Sequence, residues 1–150
     1  MNVQPYLFFD GRCEEALAFY TKALGAEVTM MMRFKDNPEP QGTRPNIQPD
    51  KVMHARLRIG DSVIFAMDGM SPGGASHFDG FGLSLTVANE AEADRMFNAL
   101  LDGGKTVMPL GKTFFSPRFG MVTDRYGIGW MVYVAPAEEY RMPSRAKQVA

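Results

Sequence analysis

The sequence predicts an α+β protein built from two copies of one βαβββ unit. Two amphipathic helical segments lie a constant 77 residues apart. Each follows one short apolar run and precedes three more, and turn residues separate the last two runs of each copy. Helices grouped with mostly antiparallel strands cover one face of a sheet, so we expect the opposite face to serve another purpose.

The first predicted helix follows a short apolar strand at residues 5–9 and precedes a second strand at residues 27–34. Asp10 is the expected N-cap, and Gly25 is the expected end because glycine adopts the left-handed conformation at low cost. The apolar residues recur every three or four positions, which is typical of an amphipathic helix: Cys13, Ala16, Leu17, Tyr20 and Leu24.

The second predicted helix begins after Asn89, with Glu92 three residues later in a capping-box pattern, and ends at Gly103 and Gly104. Strands are predicted on either side of it, at residues 82–87 and 105–110. Its apolar face consists of Ala93, Met96, Phe97, Leu100 and Leu101. These match, at the 77-residue offset, Ala16, Phe19, Tyr20, Ala23 and Leu24.

Each copy closes with two further strands. In the first copy they span residues 52–59 and 62–68, joined at Gly60-Asp61; in the second they span residues 119–123 and 129–134. Apolar residues alternate with mostly polar residues along strand 52–59. We expect the apolar residues of one face to pack against the helix, namely Met53, Ala55, Leu57 and Ile59. The other set is expected on the opposite face, namely Val52, His54, Arg56 and Arg58. Residues 35–51 and 69–80 are predicted to be loops, either lids or plain linkers.

Several motifs resemble those of the PhnB-like branch of the vicinal-oxygen-chelate superfamily, which includes glyoxalases, bleomycin-resistance proteins and extradiol dioxygenases. They are PYLFFDGRCEEA at 5–16, FYTKALG at 19–25, MHARL at 53–57, IGDS at 59–62 and RFGMVTDRYG at 118–127, with Trp130. The resemblance implies one domain over residues 1–150, with modules at about 1–68 and 82–134 and a C-terminal tail at 135–150. It also implies an eight-stranded mixed sheet curled around a cavity, helices outside, and a homodimer.

The superfamily's enzymes bind a divalent metal through the first and last strands of each module. The resemblance places these positions near Gln4 or Pro5, Phe65, Gly82 and Met131, and none is a His, Asp or Glu. A catalytic site needs three or four such ligands, so we predict no metal and no other cofactor. The branch also carries a ubiquinone-pathway methyltransferase label, but the sequence has no glycine-rich strand-to-helix loop typical of nucleotide cofactors.

The candidate ligand-binding residues are His54, Arg56, Tyr6, Phe65, Trp130 and Gln4. His54 is predicted on the cavity face, where it either orients a ligand, acts as a general base or forms a packing hydrogen bond. The three aromatic residues occupy strand positions near the family's cavity. Other polar candidates have plainer interpretations: Arg58 and Arg118 as ion-paired arginines, His77 as a solvated loop residue, and Cys13 as a buried, inert thiol.

Composition excludes several classes of partner. The 150 residues contain 16 Lys plus Arg and 17 Asp plus Glu, a net charge of -1, so we expect no nucleic-acid or membrane-surface binding. No apolar stretch reaches the roughly 20 residues of a membrane span. One cysteine cannot form an intramolecular disulfide, and acids in the first twenty residues do not fit a signal peptide, which together predict a cytoplasmic protein.

Two functions remain open at this stage. The first is a metal-free protein that binds a small organic molecule in the sheet cavity, which requires only an apolar pocket with a few polar contacts. The second is a lyase, isomerase or dioxygenase of the glyoxalase type, with a metal held by unconventional ligands or with His54 as base. The apolar character of the inherited ligand positions favours the first.

Overall fold

Each of the two units into which the chain divides, Met1–His77 and Phe78–Ala150, contains one βαβββ element order. A computed structural model describes residues 1–39, 48–69 and 76–136. The first unit comprises β1 (Tyr6–Phe8), α1 (Cys13–Leu24), β2 (Glu27–Arg33), a short 3-10 turn (Phe34–Asp36), β3 (Val52–Ile59) and β4 (Ser62–Met67). The second comprises β5 (Leu83–Val87), α2 (Glu90–Leu101), β6 (Lys105–Gly111), β7 (Phe119–Thr123) and β8 (Gly129–Val134).

Both units form a four-stranded mixed sheet with the same topology. The strand orders are β1-β4-β3-β2 and β5-β8-β7-β6. In each unit the first strand runs parallel to the last, and the other pairs are antiparallel. The α+β class and the duplicated βαβββ unit are therefore confirmed. A single cavity enclosed by all eight strands stays a prediction, and most of the predicted tail, residues 137–150, lies outside the described residues.

One face of each sheet is covered by the helix of its own unit. Helix α1 contacts β2 and β3, and its apolar stripe, which includes the fully buried Leu17 and Tyr20, is shielded from solvent. The strands contribute a row of buried neighbours to the same core: Leu7, Ala66 and Ala55. Each large side chain buried here contributes about 1.5 to 3 kcal/mol of hydrophobic stabilisation. The alternate strand positions are left on the other face.

The predicted cap of α1 is wrong, because Asp68 and not Asp10 binds the N–H groups there. Arg12 occupies the N-cap position, and its side chain makes no capping hydrogen bond. The buried Asp68 carboxylate accepts the N–H of Gly11 at 2.7 Å and of Cys13 at 3.0 Å through Oδ1. Its Oδ2 accepts the N–H of Val52 at 3.0 Å. One carboxylate therefore connects the end of β4 to the start of α1 and the start of β3.

The other helix ends follow the sequence closely. Gly25 ends α1 with φ of 64°, in the left-handed region, and the Asn89 side chain accepts the N–H of Glu92 at 2.9 Å. The Glu92 carboxylate accepts from Ala88 N–H at 3.1 Å instead of the N-cap N–H. The predicted end of α1 and start of α2 are confirmed, whereas α1 begins at Cys13 and α2 ends at Leu101, just before the predicted glycines.

The alternation predicted for β3 is wrong at its first two residues. Val52, expected on the face opposite the helix, is fully buried, and Met53 is only partly buried. The pairing of β2 with β3 shifts register between Met32 and Arg33, which breaks the two-residue period at this end. From His54 onward the expected alternation holds, with Ala55 and Leu57 buried and Arg56 and Arg58 exposed.

Candidate functional site

Five side chains of the first unit form the candidate site, which we call the open face: Tyr6, Phe8, His54, Arg56 and Phe65. They come from β1, β3 and β4 and lie on strand positions that alternate with the buried row. Tyr6 lies opposite Phe65, and Phe65 lies opposite Arg56 on its other side. Strand pairing therefore brings together three residues that are far apart in the sequence.

The rings of the open face form a contiguous, partly exposed cluster. Tyr6 and Phe8 are each 37% exposed and stack with centroids 5.3 Å apart and an interplanar angle of 16°. Phe65 is tilted against Tyr6 at 5.7 Å and against His54 at 5.3 Å. Phe8 was not among the sequence-predicted site residues, although its spacing of two from Tyr6 on one strand signals a shared face.

A short hydrogen bond joins the two polar members of the cluster. The distance between Tyr6 Oη and His54 Nδ1 is 2.6 Å. In the tautomer that carries its proton on Nε2, Nδ1 accepts from the Tyr6 hydroxyl and the Nε2–H is left to donate elsewhere. The sequence predicted both residues but not this bond, because it spans 48 positions. His54 thus has its ring orientation fixed by a neighbour on another strand.

The electrostatic environment favours the neutral form of both groups. Partial burial, with a smaller contribution from the Arg56 charge, lowers the pKa of His54 below its ordinary value. Burial also raises the pKa of Tyr6, with a smaller effect of Cys13. At neutral pH the pair is a phenol bonded to a neutral imidazole. Such a pair offers a hydrogen-bond donor and, once a proton acceptor is needed, a base.

Arg56 differs from the other two arginines considered in the sequence. Its guanidinium carbon lies 5.7 Å from the centroid of the Phe65 ring, and within the described part of the chain no carboxylate pairs with it. Arg58, two residues along the strand, is ion-paired with Glu27. Arg118 of the second unit donates to Asp94 from Nε at 2.9 Å. Of these three arginines, Arg56 is therefore the one available to a ligand among the described residues.

The end of β1 is tied to a later segment that sequence reasoning did not connect with it. The Ser76 hydroxyl lies 2.7 Å from the carbonyl oxygen of Phe8 and 3.0 Å from Asp10 Oδ2, and it accepts the Asp10 N–H at 2.8 Å. The next residue, His77, is exposed. Part of the predicted 69–80 loop, residues 70–75, lies outside the described residues.

The structure places Trp130 in the core of the second unit. The indole is 2% exposed, and its Nε1–H donates to Asp124 Oδ2 at 2.8 Å. Asp124 Oδ1 also accepts the N–H of Tyr126 and of Ile128. Because this buried ring stabilises the β7–β8 turn through its bond to Asp124, we do not retain Trp130 as a ligand-binding candidate.

The second unit presents different chemistry at the positions equivalent to the open face. Its cross-strand row consists of Ser84, Met131, Met121 and Met108. The three methionines are partly or largely exposed. We call this set the methionine row.

A shallow groove of about 630 Å³ lies on the helix side of the second unit. It is lined by Asp94, Phe97, Asn98, Thr106, Pro109, Leu110 and Arg118. The groove is wide and open, and the ion pair between Arg118 and Asp94 already satisfies its charged groups. For that reason we place the candidate site on the open face of the first unit and not here.

Residues 1–133 match the protein family described as 3-demethylubiquinone-9 3-methyltransferase. The chain belongs to this PhnB-like family. It is 37% identical over 141 residues to the protein YjdN of Escherichia coli K12, covering 89% of this chain and 95% of that protein.

Three solved structures agree with the fold of this chain. The crystal structure of protein PA1353 from Pseudomonas aeruginosa is 42% identical, covers 90% of this chain and 98% of its own, and superimposes with a TM-score of 0.78. The Bacillus cereus PhnB protein, described as a putative 3-demethylubiquinone-9 3-methyltransferase, is 28% identical with a TM-score of 0.74 over 90% of this chain and all of its own. A glyoxalase/bleomycin-resistance/dioxygenase domain from Frankia shares the fold at 15% identity, a TM-score of 0.65 and 92% coverage of this chain and 94% of its own.

The residues at the superfamily's metal positions do not fit a divalent cation. The positions lie side by side within each unit: Phe65 N–H donates to Pro5 O at 2.9 Å, and a Cβ at Gly82 would lie 3.6 Å from Met131 Cε. Phe65 offers a ring, Pro5 an imino acid, Met131 a thioether and Gly82 no side chain, while Gln4 offers a single amide oxygen. Catalytic zinc, nickel, iron and manganese ions are held in proteins by several imidazole or carboxylate ligands. No cluster of three or more His, Cys, Asp or Glu suited to a metal occurs in the part of the chain that the structure describes.

Proposed function

We propose that this PhnB-like protein binds a small organic molecule on the open face of its first unit, without a catalytic metal. The observation that carries the proposal is the Tyr6–His54 hydrogen bond of 2.6 Å inside a cluster of exposed rings. Exposed aromatic side chains with a few oriented polar groups are the usual composition of a small-molecule site. A purely structural cluster would instead bury its rings in the core.

The polar groups of the open face support binding because each keeps a hydrogen-bonding group that its contacts within the described residues do not use. Neutral His54 retains one imidazole nitrogen beyond its bond to Tyr6, and Arg56 retains its guanidinium. Asp68 holds the start of β3 against the β1–α1 connection, so the strands that carry Tyr6 and His54 are fixed relative to each other. A prearranged site of this kind loses little entropy when a ligand binds.

The test is a fragment library screened by NMR, with the imidazole signals of the two histidines as reporters. We expect fragments that bind to shift the His54 resonances and not those of His77, and Phe65→Ala to abolish these shifts. Tyr133→Ala, which also deletes a partly exposed ring but on the second unit, should leave them in place. Binding that never perturbs His54, or that survives Phe65→Ala unchanged, would rule out this site.

A glyoxalase-type metal enzyme is the alternative that the same preparation tests. Elemental analysis after dialysis is expected to show no stoichiometric nickel, zinc, iron or manganese. One such ion per chain, lost in His54→Ala, would replace the metal-free proposal by the enzyme one. The methyltransferase activity in the family's description is not part of this proposal, because no residue of the open face argues for a methyl donor.

We propose further that the protein is a cytoplasmic homodimer. The apolar side chains of Val107, Met108 and Phe114 are exposed in the second unit, which favours a covering partner. The lone Cys13 is a buried thiol, as is common in a reducing compartment. No helix in the described segments is both long and apolar enough to span a membrane. Light scattering at micromolar concentration tests the dimer, and a mass near 16.7 kDa would contradict it.

A further inference from the structure

We infer that the molecule bound on the open face is a planar organic anion, whose flat ring lies on the aromatic cluster and whose acidic group meets Arg56. The inference rests on the proposed function and names the chemical class of its ligand. It combines two independent features of the face: the arrangement of its rings, and the Arg56 charge beside them, which has no carboxylate partner among the described residues.

The rings select for a flat ligand. Tyr6 and Phe8 are nearly parallel, at 16°, and both retain more than a third of their surface in contact with solvent. Phe65 and His54 are tilted against Tyr6, so the four rings form a surface with faces and edges exposed together. Aromatic ligands gain from stacked and edge-to-face contacts with such rings beyond simple area burial. A saturated ring of equal size lacks this contribution.

The charge selects for an anion. The Arg56 guanidinium lies over the Phe65 ring, beside the surface on which a flat ligand would lie. A guanidinium over an aromatic ring still presents a planar edge of N–H donors that matches a carboxylate in two parallel hydrogen bonds. The neighbouring Arg58 has this capacity occupied by Glu27. An anion can therefore form an ion pair with Arg56, because no carboxylate among the described residues already does so.

The remaining polar groups agree with a negatively charged ligand. The groups that face His54 are the Tyr6 hydroxyl from β1 and the Arg56 charge on its own strand, with Met32 opposite it on β2. The guanidinium and the imidazole Nε2–H are hydrogen-bond donors toward an anionic oxygen, while the Tyr6 hydroxyl donates to His54 Nδ1. A cation on this face would meet the Arg56 charge at short range without compensation.

Three probes of similar size separate ring from charge: benzoate, benzamide and cyclohexanecarboxylate. Titrations are followed on the His54 signals of wild type, Arg56→Gln and the matched control Arg58→Gln. We expect benzoate to bind about tenfold more tightly than either other probe, the scale of one charge-assisted pair. Arg56→Gln should remove that tenfold preference over benzamide, and Arg58→Gln should keep it within about twofold, as expected for an exposed ion pair.

The outcomes separate the planar-anion inference from the proposed small-molecule binding on which it rests. Equal affinity for benzoate and benzamide, or an unchanged preference in Arg56→Gln, overturns the anion while small-molecule binding stands. Equal affinity for benzoate and cyclohexanecarboxylate overturns the planar ring. If none of the three probes shifts His54 but other fragments of the library do, the ligand class is wrong and the proposed function survives. If no molecule shifts His54, both fail.

Discussion

Replacing the buried carboxylate of Asp68 by an amide should destabilise the first unit severely. The carboxylate accepts three backbone N–H groups, two through Oδ1 and one through Oδ2. The amide side chain of the Asp68→Asn variant retains one acceptor oxygen, and its NH2 group then faces a donor. With the oxygen toward Gly11 and Cys13, the Val52 N–H loses its partner inside the protein.

The magnitude follows from the bonds lost. An unsatisfied buried N–H costs about 1 to 3 kcal/mol, and the two bonds that remain lose their charge assistance. We therefore expect Asp68→Asn to lower the free energy of unfolding by about 2 to 4 kcal/mol. Asp68→Ala, which loses all three acceptors, should lower it by about 3 to 6 kcal/mol. These losses are a large share of the roughly 5 to 15 kcal/mol typical of a whole domain.

Urea unfolding followed by circular dichroism measures the effect, and Asp61→Asn in the exposed β3–β4 turn is the control, expected within about 0.5 kcal/mol of wild type. The His54 signals give a second readout, because the strands that Asp68 fixes carry Tyr6 and His54. If Asp68→Asn behaves like the control in both measurements, the carboxylate does not hold this junction and the reasoning fails.

Three further perturbations test other parts of the structure. Burial lowers the pKa of His54 below its ordinary 6.5, so the contribution of its neutral form to stability is present above pH 6.5 and is lost as the pH falls through 6.5 toward the pKa of the folded protein. The free energies of unfolding in urea at about pH 7.5 and about pH 5 should therefore differ less in His54→Gln than in wild type. An equal difference in the two proteins would contradict this. Asp124→Ala should unshield Trp130, the single tryptophan, so that its emission shifts to the red and acrylamide quenches it more; unchanged emission would refute the assigned bond. Gly104→Ala places a Cβ 2.2 Å from a backbone oxygen and should cost about 1 to 3 kcal/mol in thermal unfolding, whereas Gly111→Ala meets no atom within 4 Å and should not.

The sequence predicted those features that depend on local periodicity. Helices α1 and α2 were predictable because apolar spacing and end signals lie within a short stretch of chain. The two faces of strand β3 were predictable because charged and apolar residues alternate after Val52. Strand β8 did not, since its residues are nearly all apolar and the side of the sheet on which Trp130 lies depends on pairing alone.

The features that sequence reasoning missed depend on contacts between distant segments. Asp68, whose carboxylate accepts the Cys13 N–H, lies 55 residues after Cys13. Tyr6, whose hydroxyl is bonded to His54, lies 48 residues before it. Asp10 was the local candidate for the cap, but Asp68 took that position because β4 runs parallel to β1 and ends beside it. Arg56 was predicted from its face, whereas its lack of a carboxylate partner among the described residues, in contrast to Arg58, is visible only in the structure.

The methionine row gives the second unit a sensitivity to oxidants that the open face of the first unit does not share. Peroxide converts a thioether into a polar, chiral sulfoxide, while the phenol, imidazole and guanidinium groups of the first unit are left intact by mild treatment. Since Met108, Met121 and Met131 are neighbours across three strands, successive oxidation would turn one continuous apolar strip hydrophilic. The duplicated scaffold has thus placed a methionine row across three strands of one copy and aromatic and proton-exchanging groups at the equivalent positions of the other.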